Sequence, residues 1–201
     1  DQSSSFPSLY DPALGVSFVA SSLSSSRLPP WLEIHVGATN EVARSYLQEL
    51  QEALRNRHLS VQDREDVLRA VHVASKTDTA VLTGAAKFVL GILSNLEYLG
   101  RDTLVAAAFH YCGCVAVRMK FPDGLELVDA AERDIYLMSL ADSGIEQFGT
   151  SVVKIALSAA KMKRAEVLAS KTQGDMGKFC DLLVSVTEDW RALAIRSYAC
   201  L

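Results

Sequence analysis

The sequence predicts an all-α fold, a compact globule of about eight or nine helices. From about residue 39 onward, apolar residues recur three and four positions apart, which is the spacing of one helix face. No stretch alternates apolar and polar residues over the length of a strand. The chain has 201 residues, 49% of them hydrophobic, which is enough to bury a core in one domain without disulfides.

The first thirty residues differ from the rest of the chain. They hold ten serines, several prolines and a single basic residue, Arg27. Such a composition buries little apolar surface, so we expect residues 1–30 to form a disordered or loosely docked lead. The helical domain is expected over residues 31–201. Because Leu201 lies in an apolar helical pattern, we expect the chain to continue into a further domain.

N-cap residues mark the start of the first helices. Thr39 or Asn40 is expected to cap the first one. Its apolar positions follow at helical spacing and are Val42, Tyr46, Leu47, Leu50 and Leu54. Ser60 is expected to cap the second helix, because Asp63 three residues later completes a loose capping box.

The remaining helices follow from glycines, caps and apolar spacing. A third helix is expected to end at Gly100, and Asp102 is expected to cap a fourth that reaches His110. This fourth helix is apolar on nearly all sides and should lie at the centre of the core. Further along the chain we expect a turn over residues 118–124 and a helix or two over 127–147. A helix is expected to start at Thr150 or Ser151 and to run through Ala159, followed by a partly looped stretch over 163–174. Two last helices are expected over about 175–186 and 188–201.

Charge and apolar length exclude two classes of partner. A net charge of −4 argues against nonspecific nucleic-acid binding, which needs a basic excess. The longest apolar stretch, Leu104 to Val117, is too short to span a membrane. Four cysteines are too few for a disulfide scaffold, so we expect reduced thiols in a reducing compartment.

His110 is the most informative of the four histidines. No two histidines lie three or four residues apart, so none forms an obvious helical metal site. His110 ends the helix with the most buried pattern, and burial of an imidazole without a partner is costly. The sequence therefore predicts a specific hydrogen-bond partner for His110.

Three segments resemble the hydrolase domain of the RelA/SpoT homologue family, which makes and degrades guanosine tetraphosphate. Residues 91–111, GILSNLEYLGRDTLVAAAFHY, resemble the helix pair that leads to the family's His–Asp motif. Residues 148–164 and 178–201 resemble two later segments of the same domain, in the same order. The resemblance implies an HD-domain-like helical fold.

The departures from the family pattern fall at its metal site. The family holds one manganese ion through two histidines, a His–Asp pair and a later aspartate, and a Glu–Asp pair assists the attacking water. Carried over to this sequence, the motif histidine is His110, and its aspartate becomes Tyr111. The Glu–Asp pair becomes Cys114 and Val115. The upstream histidine becomes Ala85, and the late aspartate becomes Ala199. The resemblance thus implies one surviving ligand, and we expect manganese binding to be lost.

The prediction is a catalytically inactive hydrolase-like domain with a regulatory or structural role. Without the metal, nothing lowers the pKa of the attacking water. In the family a synthetase domain follows, so the resemblance implies a synthetase outside these residues, or another protein, as the partner. Serine-rich, acid-poor leads occur near organelle transit peptides, and the family has diverged plant members, so we expect a chloroplast location.

Three alternatives stay open. The domain is a working hydrolase if other carboxylates replace the lost ones; the candidates are Glu97, Asp102, Asp142 and Asp181. It is a nucleotide-binding module without chemistry if a basic cluster binds the phosphates of a guanosine nucleotide; the candidates are Lys154, Lys161, Lys163 and Arg164. It is a helical protein–protein interaction domain unrelated to alarmones if the resemblance reflects helical patterning alone.

Overall fold

The predicted all-α class is confirmed. The computed structural model describes residues 28–36, 40–76, 78–96, 98–121, 130–171 and 189–199, and no strand occurs among them. In chain order the helices are α1 (Pro30–Val36), α2 (Glu41–Arg55), α3 (Val61–Ala74), α4 (Thr79–Asn95), α5 (Arg101–Lys120), α6 (Ala130–Asp142), α7 (Thr150–Lys171) and α8 (Trp190–Ala199). A short 3-10 helix, Ile145–Phe148, joins α6 to α7.

Helix α5 lies at the centre of the globule, as its sequence predicts. Helices α3, α4, α6 and α7 all pack against it, and α8 packs mainly on α7 and α4. Every residue from Thr103 to His110 is buried. Removal of this apolar surface from water is the main stabilising contribution to such a core.

The predicted caps of α2 and α3 are confirmed. Asn40 accepts a hydrogen bond from the Ala43 amide at 3.1 Å. Ser60 and Asp63 form a reciprocal capping box. Val42, which was expected on the apolar face of α2, is 59% exposed, and Ala43 is buried in its place. Leu47, Leu50 and Leu54 are buried as expected, so the predicted face differs from the observed one mainly in its first turn.

Two expectations about the start of α5 are wrong. Helix α4 ends at Asn95, and Gly100 is the N-cap of α5 rather than the end of the preceding helix. Asp102 lies in the first turn of α5 and does not cap it. Its carboxylate instead accepts a hydrogen bond from Arg101 at 2.8 Å. Arg101 also binds Asp66 of α3 at 2.9 Å, so this ion-pair cluster fixes the start of α5.

The second half of the chain is more helical than its sequence indicates. Residues 118–120 continue α5, and residues 163–171 continue α7, where a turn and a partly looped stretch were expected. The expected helix over 127–147 becomes α6 and the 3-10 helix, separated at Gly144, whose φ of 68° favours glycine. Of the expected lead over 1–30, residues 1–27 lie outside the described residues, as does the expected helix over 175–186. The end of the lead belongs to the fold, because Leu28 is buried and α1 begins at Pro30.

Candidate functional site

A cavity of about 420 Å³ lies between α5, α6 and α7. This volume falls within the roughly 300–1,000 Å³ of small-molecule sites. Its apolar lining comes from all three helices and includes Val117, Leu137, Leu157 and Ala160. His110, Cys114 and Tyr136 contribute polar atoms to the same cavity.

His110 has the specific partner that its burial predicts. The side chain is 1% exposed, and its Nδ1 lies 2.9 Å from the hydroxyl oxygen of Tyr136. Tyr136 in turn donates its hydroxyl proton to the carbonyl oxygen of Ala156 at 3.1 Å. Because the tyrosine has only one proton, His110 Nδ1–H is the donor to its oxygen. The neutral imidazole therefore carries its lone pair on Nε2, where Cys114 Sγ lies 3.7 Å away.

This chain of polar groups is uncharged at neutral pH. Burial, together with the smaller effects of the positive charges of Arg196 and Lys163, lowers the pKa of His110 to about 3, against an opposing effect of Glu166. Burial also raises the pKa of Tyr136 well above its usual value. His110 is therefore a poor proton acceptor near neutral pH, and Tyr136 is a poor proton donor.

Basic side chains surround the cavity on two helices. Arg133 of α6 and Lys161, Lys163 and Arg164 of α7 all line it, together with one buried acid, Glu132. The structure thus brings together three of the four residues that the sequence proposed for phosphate binding. Lys154 is exposed nearer the start of α7 and is not among the lining residues.

Tyr111 faces away from this cavity and packs against α4. The centroid of its ring lies 5.4 Å from that of Phe88, and the Phe88 centroid lies 5.4 Å from that of Tyr198 of α8. We call Phe88, Tyr111 and Tyr198 the aromatic cluster. Gly84 and Gly91 lie beneath it, because a Cβ at either position would overlap the Tyr111 or the Tyr198 ring.

The positions carried over from the metal site lie on α4, α5 and α8 and do not all face one point, since His110 lines the cavity and Tyr111 faces α4. Ala85 is fully buried on α4, Tyr111 is in the cluster, and Ala199 follows Tyr198 and is exposed. Cys114 lines the cavity, and Val115 is half-buried. Alanine and tyrosine at these positions supply neither carboxylate nor imidazole, so the residues present do not fit a manganese ion.

Of the proposed replacement carboxylates, the two that the structure describes bind other partners and not His110. Asp102 binds Arg101 and lies 3.9 Å from Arg191, and Asp142 pairs with Lys76 at the surface. Glu97 and Asp181 lie outside the described residues. Within the part of the chain that the structure describes, no three His, Cys, Asp or Glu side chains lie close enough together to hold a metal ion.

Sequence reasoning missed three residues that define these two sites: Phe88, Tyr136 and Tyr198. The signal for the aromatic cluster was present, because Gly84 and Gly91 are seven residues apart and so share one face of α4. Glycines on one helix face allow a large ring to approach closely. Nothing comparable marked Tyr136, which lies 26 residues after His110.

Comparisons with protein-family models, with curated proteins and with solved structures each return no match for this chain. The RelA/SpoT resemblance therefore stays a prediction. In the described ranges, no helix has both the length and the apolar character needed to cross a bilayer.

Proposed function

We propose that the chain is a non-catalytic hydrolase-like domain of a RelA/SpoT-type protein, with a regulatory or structural role in guanosine tetraphosphate metabolism. The observation that supports this most directly is that the carried-over ligand positions form no cation site: His110 lines the cavity, whereas Tyr111 faces away from it. Tyr111 packs against Phe88 of α4, next to Tyr198 of α8. Aromatic packing at such a point stabilises the junction of three helices without a metal ion.

The state of His110 agrees with a loss of chemistry. Its Nδ1–H is bound to Tyr136, and burial keeps the ring neutral. Without a metal or a second base beside it, this imidazole neither activates water nor polarises a phosphate ester. In this proposal the domain acts by binding, and its partner is the synthetase domain that the resemblance implies. A plastid location belongs to the same proposal.

The first experiment measures metal and hydrolysis together. Titration calorimetry with Mn²⁺ is expected to give no stoichiometric binding. Incubation with guanosine tetraphosphate and Mn²⁺ is expected to release no pyrophosphate. One tightly bound Mn²⁺ per chain, with turnover, would overturn the proposal in favour of a working hydrolase with displaced ligands.

The second experiment tests the inherited scaffold by restoring ligands. In the triple variant Ala85→His, Tyr111→Asp, Ala199→Asp, a retained hydrolase scaffold should regain Mn²⁺ binding, measured by calorimetry and as a metal-dependent rise in melting temperature. The matched control moves one carboxylate to the wrong position, with Ala194→Asp in place of Ala199→Asp. Equal failure of both folded triple variants would favour an unrelated helical protein. Because the buried Ala85→His change is the most disruptive, the pair Tyr111→Asp, Ala199→Asp provides a milder variant for the same measurement.

A second candidate function is nucleotide binding without chemistry. It is favoured by one observation: Lys161, Lys163 and Arg164 line the same cavity. Basic side chains of this kind bind phosphate groups. Calorimetric titration with guanosine tetraphosphate tests it, and heat that disappears in Lys163→Glu would support it.

A further inference from the structure

We propose that the cavity between α5, α6 and α7 binds a single-chain amphiphile: an apolar chain inside and a terminal anionic group, carboxylate or phosphate, at the rim. The proposal stands on the lining of the cavity and does not require the alarmone relationship. It assigns a ligand class to a cavity whose size suits a small molecule, at about 420 Å³.

The interior of the cavity favours an apolar chain over a polar ring system. The His110 Nδ1–H is bound to Tyr136, and the Tyr136 proton is bound to the Ala156 carbonyl. Cys114 Sγ lies beside His110 Nε2. These groups have already satisfied one another, so a nucleobase inserted among them would bury its own donors and acceptors without new partners, at a cost in free energy. A methylene chain has no such cost and gains from leaving water.

The charges place the anionic end of the ligand at the rim. Arg133 stands on α6, and Lys161, Lys163 and Arg164 stand on α7, so basic groups lie on two of the three surrounding helices. Glu132 also lines the cavity but is only 1% exposed. An anion placed deep inside would meet this carboxylate, whereas an anion at the rim meets ammonium and guanidinium groups.

Long basic side chains suit this arrangement. Lys163 is half-buried, and its charge is close enough to His110 to lower the pKa of that ring. Its stem can follow the apolar wall while the ammonium group reaches the rim. The adjacent half-buried Arg164 offers a planar fork of donors to a carboxylate or phosphate.

The ligand class is tested by calorimetric titration of the protein with five compounds, with the dodecyl compounds kept monomeric, below their micelle concentration or solubility limit. Dodecanoate and dodecyl phosphate should bind one per chain, and their ratio tells a carboxylate preference from a phosphate preference. Dodecanol, which lacks the charge, should bind roughly tenfold or more weaker, as expected for the loss of a charge-assisted hydrogen bond. Inorganic phosphate and guanosine tetraphosphate should give no heat.

Two charge variants on one helix locate the head group. Lys163→Glu should weaken dodecanoate binding roughly tenfold or more. Lys154→Glu makes the same charge change on the exposed part of α7 and should leave binding within about twofold. Ala160→Phe fills the cavity from α7 and should remove binding of the whole series while the far-ultraviolet spectrum stays helical.

Thiol protection provides a readout that a nonspecific detergent effect would not reproduce. Cys114 lines the cavity, so bound dodecanoate should slow its alkylation by iodoacetamide, as located by peptide mass spectrometry. Cys112 is the control on the same helix: it is buried, and burial raises its thiol pKa to about 12, so it should stay unmodified with or without ligand.

Three results would overturn the proposal: equal affinity for dodecanol and dodecanoate, equal weakening by Lys163→Glu and Lys154→Glu, or tight binding of guanosine tetraphosphate with none of the dodecyl compounds. The last result would support the nucleotide-binding candidate. Since the metal-restoration experiment does not depend on this cavity ligand, failure of one proposal leaves the other to its own test.

Discussion

His110 and Tyr111 are neighbours on α5, yet they lie in opposite kinds of environment. His110 is buried beside a cavity and is held in a chain of hydrogen bonds to Tyr136 and Ala156. Tyr111 packs in a solid aromatic cluster, with its ring against Phe88. No hydrogen bond to the Tyr111 hydroxyl is formed by the described residues. One residue step along a helix rotates the side chain by about 100°, which is enough to separate the two environments.

The comparison shows two ways to stabilise a helix junction. On the His110 side, the buried polar atoms of His110 and Tyr136 are joined by hydrogen bonds. On the Tyr111 side, aromatic rings fill the junction. They fit because Gly84 and Gly91 of α4 have no Cβ at the points where the rings approach. Gly113 has the corresponding role on the cavity side, where a Cβ would lie 2.6 Å from the Tyr136 ring. The stability of the hydrogen-bonded junction therefore depends on the protonation of His110, and the stability of the aromatic junction depends on side-chain volume.

The largest expected effect is a dependence of stability on pH that His110 imposes. Its pKa is lowered by burial to about 3, whereas an unfolded histidine has an ordinary pKa near 6.5. Between these values only the unfolded chain takes up the proton, so stability falls as pH falls through this window. From pH 6 to pH 4 the loss from this group amounts to about 2.5 kcal/mol.

Urea denaturation of wild type and His110→Asn at pH 6, 5 and 4 measures this loss as a difference in slope. The asparagine amide retains a donor near the position of Nδ1, and all other ionisable groups are the same in the two proteins. Parallel pH curves for the two proteins would mean that His110 is accessible to protons in the folded state.

The next effect tests ring packing on the other side of α5. Gly91→Ala places a methyl group where the Tyr198 ring lies, and overpacking of this kind costs about 2 kcal/mol. In a Tyr198→Ala background the same change should become neutral or stabilising, because alanine favours a helix by about 1 kcal/mol over glycine. A double-mutant cycle by chemical denaturation measures this change of sign. Additive effects would place Tyr198 away from Gly91.

A smaller loss is expected from Tyr136→Phe. The substitution removes one oxygen and leaves the buried His110 Nδ1–H without its acceptor, which should cost about 1–2 kcal/mol. The free energy of unfolding at pH 7 is the measurement. A change below about 0.5 kcal/mol would indicate that a water molecule replaces the hydroxyl as the acceptor for His110 Nδ1–H, and therefore that water reaches this end of the cavity.

Local signals in the sequence were sufficient for the helical class and for several caps. Asn40, Ser60 and Asp63 cap helices because their side chains compete for nearby backbone amides, an interaction within one turn. The same logic failed at Asp102, because Arg101 and Asp66 from another helix bind each other and hold the start of α5. A cap preference does not include such a tertiary partner.

The candidate site was predictable only in part, for the same reason. The burial pattern of α5 was sufficient to require a partner for His110 but not to choose Tyr136 on a later helix. Residues 163–171 were expected to be partly looped because they are polar. In the structure they continue α7, and Glu166 accepts hydrogen bonds from Arg196 of α8 with both carboxylate oxygens, which holds this part of α7 against α8. Hydrophobic periodicity detects a helix by its apolar face, so it does not detect a helical stretch whose face consists of charged side chains.

The smallest expected effect makes the comparison between the two neighbours most direct. Tyr111→Phe removes the same oxygen atom as Tyr136→Phe, one helix face away, and should change the free energy of unfolding by less than about 0.5 kcal/mol, because no hydrogen bond in the described structure is lost. The ring contact with Phe88 at 5.4 Å, which needs no hydroxyl, is retained. Chemical denaturation of both variants at pH 7 gives the two values side by side. If Tyr111→Phe cost more than Tyr136→Phe, the polar interaction that matters would lie in the aromatic cluster, and the assignment of the two faces of α5 would be reversed.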